Sequence, residues 1–592
     1  MTNFWLHPAL ILIFGGLILP LIKGPLRRYY LLGIPLLTFL TVWGMDKGTF
    51  GVVQFIDWEL TFGRVDSLSL VFGYIMSLMC IIGTLFGLHV EEDVQHIAAW
   101  FYVAGSLGVI FCGDYLVLFL FWELMAFASV FLVWFRRGPK STATGYRYIL
   151  IHTLGGLFLL AGFVLRYKAT GGDLSFALMD VHHPDLATWL ILLGFLVNAA
   201  AIPFHSWLPD AYAEASVTGA VFMCAFTTKT AIYVLARGFA GMEILIPIGV
   251  VMALYGVIYG IIENDARRLF AWDTVSQVGY MVVGVGIGSK LAINGACAHA
   301  FAHILYNGLL FMGTGSVLYM VGTTKMTELG GLYKKMPRTF VFTLIGGLSI
   351  AGLPLFSGFV SKSMIIAAGF EHHHLFAAFA LTLASAGTFL LAGIKVPYFI
   401  WFGKNNCSEE IWEKAADPPW NMQAAMAVAS FFCIFIGCYT AYLYDMLPFH
   451  VDFHPYSAYH LAETLQIVAF TGVAFYFLRK LMAPTPTISL DMDWFYRMFG
   501  RGFMWVDSKI FQTIDSWVAE IYRYLGLFPL MKISKFWSWF DWNAIDGVVD
   551  GIARSVRALG GKVRVLQSGQ MQYNIFVAAS LAAAAIVIFM FV

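Results

Sequence analysis

Apolar runs of roughly 20 residues, parted by short polar joints, recur along the whole chain, and a run of that length crosses the hydrocarbon of a bilayer as a helix. By that criterion about sixteen helices span the membrane. They lie near 3–22, 29–45, 67–88, 97–112, 114–135, 143–166, 186–207, 216–236, 242–262, 268–288, 291–321, 338–369, 376–403, 421–446, 460–481 and 572–592. The first, MTNFWLHPALILIFGGLILPLI, lacks a basic leader and a small-residue cleavage site, so it is expected to be a retained span and not a signal peptide. The pattern predicts an all-α, polytopic membrane protein. Composition agrees, with 60% hydrophobic and 12% charged residues and a mean hydropathy of +0.76, far outside the soluble range.

Basic residues gather in alternate joints: Lys23, Arg27 and Arg28; Arg136, Arg137 and Lys140; Arg267 and Arg268; Lys325, Lys334, Lys335 and Arg338. Such joints face the cytoplasm. The joints between them, DWELTFGRVD, GGDLSFALMDVHHPD, EHHH and DMLPFHVDFHPYSAY, are acidic or carry histidine. Both termini are therefore expected outside. The joint HVEEDVQH breaks the pattern, although acidic residues weigh little in this rule.

Two spans are interrupted in comparable ways, LVNAAAIPFHSWLPDAY at Pro203 and SIAGLPLFSGFVSK at Gly352-Leu-Pro354. Proline removes a helix donor and glycine loosens the turn, so each span becomes two half-helices. The breaks fall in the seventh and twelfth spans. Five spans apart means opposite orientation, which fits an inverted five-helix repeat of spans 4–8 and 9–13; two unrelated kinks are the alternative. The domains expected are 1–96 (spans 1–3), 97–240 (first repeat), 241–404 (second repeat), 405–482 (spans 14–15), 483–570 (a lateral segment) and 571–592 (the final span). The lateral segment is too polar to cross. Its Trp494, Phe495, Trp505, Ile510, Phe511, Ile514, Trp517, Ile521 and Leu525 recur near helical spacing, which predicts amphipathic helix in the interface, broken at Gly526 and Pro529.

The formal net charge of +1 gives no reason to expect a nucleic-acid partner. The seven cysteines are scattered without Cys-x-x-Cys spacing, so no metal or iron–sulfur site is expected. GVGIG at Gly284 to Gly288 does not follow a strand and reads as close helix packing. No cofactor is expected on this chain.

A charge at the bilayer centre costs about 2.5–3.5 kcal/mol on insertion scales, so ionisable residues inside the apolar runs are candidate functional groups. They are Glu123 in LFLFWELMAF, Lys229 in FTTKTAIYVL, His299 and His303 in CAHAFAHILYNGLLF, Lys362 in GFVSKSMII and Lys395 in LLAGIKVPYF, with His152 in ILIHTLGGLF a weaker member. Lys395 lies within snorkelling distance of its span's end, where anchoring serves as well as transport. His299 and His303 share one helix face at i, i+4, a spacing used by metal ligands and proton relays alike, but no third ligand accompanies them. Glu123 must be paired or protonated, and Lys229 is the natural partner, because burial otherwise favours the neutral form of both groups.

At these residues the chain resembles the antiporter-like subunits of complex I, Mrp-type sodium/proton antiporters and membrane-bound hydrogenases. The resembling segments are FWELMAF, IPFHSWLPDAYAEASVTGAVFMCAFTTKTAIYVLAR, ENDARRLFAWDTVSQVGYM, HAFAHILYNGLLFMGTGSV and GLPLFSGFVSK. DWFYR at Asp493 to Arg497 and the span-8 segment look closer to the Mrp D-type, and DGVVDGIARSVRALGGKVRVLQSGQMQ resembles the variant with a lateral helix. The resemblance implies a horizontal chain of buried charges and water that carries protons between two half-channels. On it, Glu123 is the span-5 glutamate, Lys229 the span-8 lysine, His299 and His303 the span-11 histidines, and Lys362 the charged residue after the span-12 break. Two positions depart, Asn198 and Asn307 standing where relatives have lysine. Asparagine does not titrate, so the relay either runs on the other residues with asparagines holding water, or has partly lost pumping. An amide oxygen also suits a sodium ion.

Two functions follow as expectations. One is a proton-translocating, or sodium/proton exchanging, subunit of a membrane complex in a bacterial or archaeal inner membrane, with other membrane subunits and the lipid bilayer as partners and any redox site on another chain. The other is a structural subunit with an idle channel whose lateral helix clamps its neighbours. Co-purifying redox proteins would point to an oxidoreductase or hydrogenase; only small membrane subunits would point to an exchanger.

Overall fold

The computed structural model describes residues 5–486 and 490–591. The first residues of the expected span 3–22, residues 487–489 of the lateral segment and the last residue of the final span lie outside them. The chain divides into two units, Met1–Met492 and Asp493–Val592.

Among the described residues eleven helices are long and apolar enough to cross a membrane, and Pro8–Leu21, Leu186–Asn198 and Pro337–Ala351 are shorter apolar helices. The chain is an integral membrane protein. Helix is what its apolar runs must form, because lipid offers no partner for backbone amides and carbonyls. The apolar window of Val217–Gly238 is 100% buried within the protein and that of Lys290–Val321 83%, against 6% for Ala458–Leu478. The first two are core helices and the last is a rim helix.

Polar joint residues start these helices. Asp66, Asp114, Asp185, Ser216, Asp265 and Ser289 each accept a hydrogen bond from a backbone N–H of the first turn, a cap that stabilises a helix by about 1 kcal/mol.

The expected interruptions are present. Helix Leu186–Asn198 is separated from Trp207–Glu214 by the stretch around Pro203, and Pro337–Ala351 from Ser357–Glu371 by the stretch around Gly352. Each break turns through a non-glycine residue in the left-handed region, Ala200 at φ 57° and Leu355 at φ 74°, a conformation that costs roughly 1–2 kcal/mol.

Four expectations need correction. The chain is not wholly α: Gly48–Phe55 and Trp58–Val65 form an antiparallel hairpin in register from Gly48↔Val65 to Phe55↔Trp58, built on the β-branched and aromatic residues of TFGVVQF and WELTF that favour strands. The span near 216–236, counted above as one crossing, is not a continuous helix but is interrupted between Val217–Met223 and Thr227–Gly238. The span near 376–403 passes from α-helix into π-helical turns at Phe389–Lys395 and Pro397–Phe402. Within the second unit, Gly526 and Pro529 do not break the helix. The wide π turns Tyr522–Leu527 contain the glycine and run directly into Phe528–Phe540, whose second residue is Pro529. Helical turns run without a gap from Asp493 to Val565, a contour of about 110 Å at 1.5 Å per residue.

Candidate functional site

The intramembrane lysines share one local arrangement. Lys229 donates to the Cys224 carbonyl at 2.7 Å, Lys362 to the Ile350 carbonyl at 2.7 Å, and Lys395 to the carbonyls of Ile261 at 2.5 Å and Glu263 at 3.0 Å. Each acceptor sits at the C-terminal end of a helix, Val217–Met223, Pro337–Ala351 or Leu245–Ile262. The last carbonyls of a helix lack intrahelical partners and carry the negative end of its dipole, so they hold an ammonium where lipid would not. The break in the eighth span is what exposes the Cys224 carbonyl. The Thr227 N–H freed there is taken by the Tyr102 hydroxyl at 2.9 Å, which also bonds the Thr227 hydroxyl at 2.6 Å.

The histidines His299 and His303 of Lys290–Val321 are both fully buried. Their ring centroids are 6.1 Å apart, and Tyr306 is 5.2 Å from His303. His299 Nδ1 bonds Ser361 Oγ at 2.9 Å, the residue beside Lys362, and its Nε2 meets Gln277 Oε1 at 3.2 Å. Lys362 Nζ also lies 5.3 Å from the Tyr280 ring. Both lysines act electrostatically on both histidines. His303 Nδ1 and Nε2, Tyr306 Oη, Thr228 Oγ1 and Asn307 Oδ1 are buried with no hydrogen-bond partner among the described residues, while Asn307 Nδ2 donates to Thr274 Oγ1 at 3.0 Å.

Glu123 stands apart from this line. The anticipated pair with Lys229 is not formed, since that ammonium is held at Cys224. Glu123 is half-buried on Tyr115–Trp134 and faces Gly156, where a Cβ would lie 2.1 Å from its Oε1; that oxygen has no partner in the protein. Nearby in the first repeat, His152 Nδ1 and Asn198 Oδ1 are 2.8 Å apart. Lys395, through its carbonyl ties to the end of Leu245–Ile262, is also off the histidine line.

Sequence reasoning missed several groups. Asp273, fully buried on Ala266–Ile287, accepts from Thr388 Oγ1 at 3.0 Å and Gln277 Nε2 at 3.3 Å. The rule that picked out Glu123 would have found it. Asp491 meets buried His205, in the break of the seventh span, at 3.2 Å and accepts from Tyr255 Oη at 2.6 Å. Partial burial alone would raise this carboxyl, but His205 and Tyr255 outweigh it and hold Asp491 below the usual carboxylate range. A small cleft borders Lys362 and is lined by Ser363, Thr382, Ser385, His460 and Glu463 among others.

Residues 112–388 match the family described as NADH:quinone oxidoreductase/Mrp antiporter, TM. One component of the Na(+)/H(+) antiporter of Alkalihalophilus pseudofirmus is 32% identical over 404 residues, 60% of this chain and 50% of that protein. The chain spans about half the length of that relative. Among solved structures, a chain of the membrane-bound sulfane sulfur reductase, an archaeal respiratory membrane complex, matches with a TM-score of 0.66 at 23% identity, covering 78% of this chain and 98% of that one. A chain of the Mrp complex from Dietzia sp. DQ12-45-1b matches with a TM-score of 0.65 at 21% identity, covering 81% and 98%. At these identities the likeness to solved structures is one of fold.

Proposed function

We propose, from the premise that residues 112–388 belong to the NADH:quinone oxidoreductase/Mrp antiporter transmembrane family, that this chain is a proton-translocating membrane subunit of a multi-subunit complex. Sodium is the exchanged cation where the complex works as an antiporter. What supports the reading is a set of buried polar side chains, Lys229, His303, His299, Ser361 and Lys362, in which the two histidine rings lie 6.1 Å apart and His299 bonds Ser361. Hydrocarbon-depth charges are costly and are kept where they carry ions or protons.

A proton released by the Lys229 ammonium leaves a neutral amine at the Cys224 carbonyl and passes to a histidine ring nitrogen. Imidazole accepts at one nitrogen and donates from the other, so the proton leaves His299 toward Lys362 as another arrives. The buried polar atoms without protein partners around His303, Tyr306 and Asn307 are groups that bridging water satisfies, which joins links too long for direct transfer. Glu123 and the His152–Asn198 pair form the entrance on the first-repeat side, and the cleft at Lys362 the exit. In this reading sixteen helices cross the membrane, spans 4–8 and 9–13 are inverted repeats, both termini lie outside the cytoplasm, and the complex sits in the cell's inner membrane.

A second reading, an idle channel in a clamping subunit, is favoured by one observation. Trp494, Phe495, Trp505, Ile510, Phe511, Ile514, Trp517, Ile521 and Leu525 are all exposed on the second unit, an apolar surface that neighbouring subunits or lipid would cover.

One experiment separates the readings. In proteoliposomes holding the whole purified complex, Lys229→Ala or Glu123→Gln should lower proton movement about a hundredfold, the scale of a lost proton-transfer group, with assembly intact. Wild-type flux in both variants would leave the clamp as the function.

A further inference from the structure

We propose that Asp273 is a proton-carrying acid of the second repeat, working opposite Lys362; this rests on the proton-translocating reading above. Asp273 is 0% exposed. Among the described residues its Oδ1 accepts only the neutral donors Thr388 Oγ1 at 3.0 Å and Gln277 Nε2 at 3.3 Å, and its Oδ2 is buried without a partner. No ion pair involves Asp273 among the described residues. Two neutral hydrogen bonds do not offset the desolvation of a carboxylate. A merely structural tie between Ala266–Ile287 and Thr388 would be made as well by an asparagine, which carries no charge to desolvate.

The neighbours of Asp273 are those a proton carrier needs. Gln277 bridges it to the relay, with Nε2 toward Asp273 and Thr388 (2.9 Å) and Oε1 toward His299 Nε2 (3.2 Å). His299 in turn bonds Ser361 beside Lys362. The titratable groups that act on Asp273 or feel its charge are Lys362 of Ser357–Glu371, Tyr306 of Lys290–Val321 and Tyr280 of its own helix. The helix Leu245–Ile262 approaches through Gly249 and Gly256 against Gly279 and Trp272, and its titratable side chains on this side, Tyr255 and Tyr259, pack on the Trp272 ring.

Among the described residues Lys362 is the cation that acts on Asp273, yet its Nζ is tied to Ile350 and not to the carboxylate. Transfer between them breaks an N–H bond of the ammonium and forms an O–H bond on Asp273, and both groups become neutral. The reverse step restores the pair of opposite charges. Asp273 therefore holds a proton while Lys362 exchanges with the adjoining cleft, and the deep site never carries two positive charges at once.

The test uses the full complex in proteoliposomes. Asp273→Asn keeps an acceptor for Thr388 but removes the titrating group; proton movement should fall at least tenfold and the pH profile of the rate should lose one limb, at unchanged assembly. Asp273→Glu should keep most of the rate with a displaced profile. Wild-type rate and profile in Asp273→Asn overturn the inference and leave the functional reading standing, whereas a wild-type complex that moves no protons overturns the reading itself. If Asp273→Asn does not assemble, Asp273→Glu decides: a displaced profile supports the proposal, and an unchanged profile or failure to assemble assigns Asp273 a structural role and overturns it.

Discussion

Lys229, Lys362 and Lys395 solve a common problem by one device, a flexible ammonium set against the orphan carbonyls of a helix end. The device holds the charge without committing it to an acid, which a proton carrier requires and a permanent ion pair would prevent. Glu123 stands apart from the histidine line, and its position depends on Gly156. A Cβ at that residue would lie 2.1 Å from Glu123 Oε1, so Gly156→Ala must swing the carboxyl away. It should reduce proton movement about tenfold or more at unchanged assembly, measured in the reconstituted complex. The ionisable residues on the line were legible because each interrupts an apolar run. Their pairings were not, since His152 meets Asn198 across 46 positions and His299 meets Ser361 across 62. Asp273 interrupts its apolar run in the same way and was legible by the same rule; its tie to Thr388, 115 positions away, was not.

The elements that position these residues are discontinuous helices. The breaks at Pro203 and Gly352 were written in the sequence, because proline and glycine act locally. The break at Cys224–Phe226 was not. FMCAFTTKT contains neither residue, and the break is held by Tyr102 of another helix, which takes the freed Thr227 N–H. Tyr102→Phe leaves that buried donor unpaired, at a cost of about 1–3 kcal/mol. It should therefore lower the unfolding temperature of the complex and, by letting the eighth span close toward regular helix, displace Lys229 and slow proton movement; thermal unfolding and flux measured together check it. The hairpin at Gly48–Val65 was read as a joint because strands of eight residues fall far below the length of a membrane-spanning run. Continuity through Gly526 and Pro529 depends on π turns, for which the sequence carries no local signal.

In the whole molecule, the first unit places a buried polar file within a shell of apolar helices, and the second presents a long amphipathic helix and an apolar span of its own. The hydropathy pattern gave the first because membrane helices obey one length rule, and the connection of the file depends on side chains meeting from helices far apart in sequence. His303 is the point at which that connection is most exposed to test. It sits between the influences of Lys229 and Lys362, and neither ring nitrogen has a partner in the protein, so an apolar residue of similar size removes the link without stranding a hydrogen-bonded neighbour. The decisive measurement is proton flux through the intact complex carrying His303→Phe in sealed proteoliposomes. Flux reduced about a hundredfold, to the level of Lys229→Ala, with the complex still assembled, is the predicted result; flux equal to the unsubstituted complex would contradict a single continuous file.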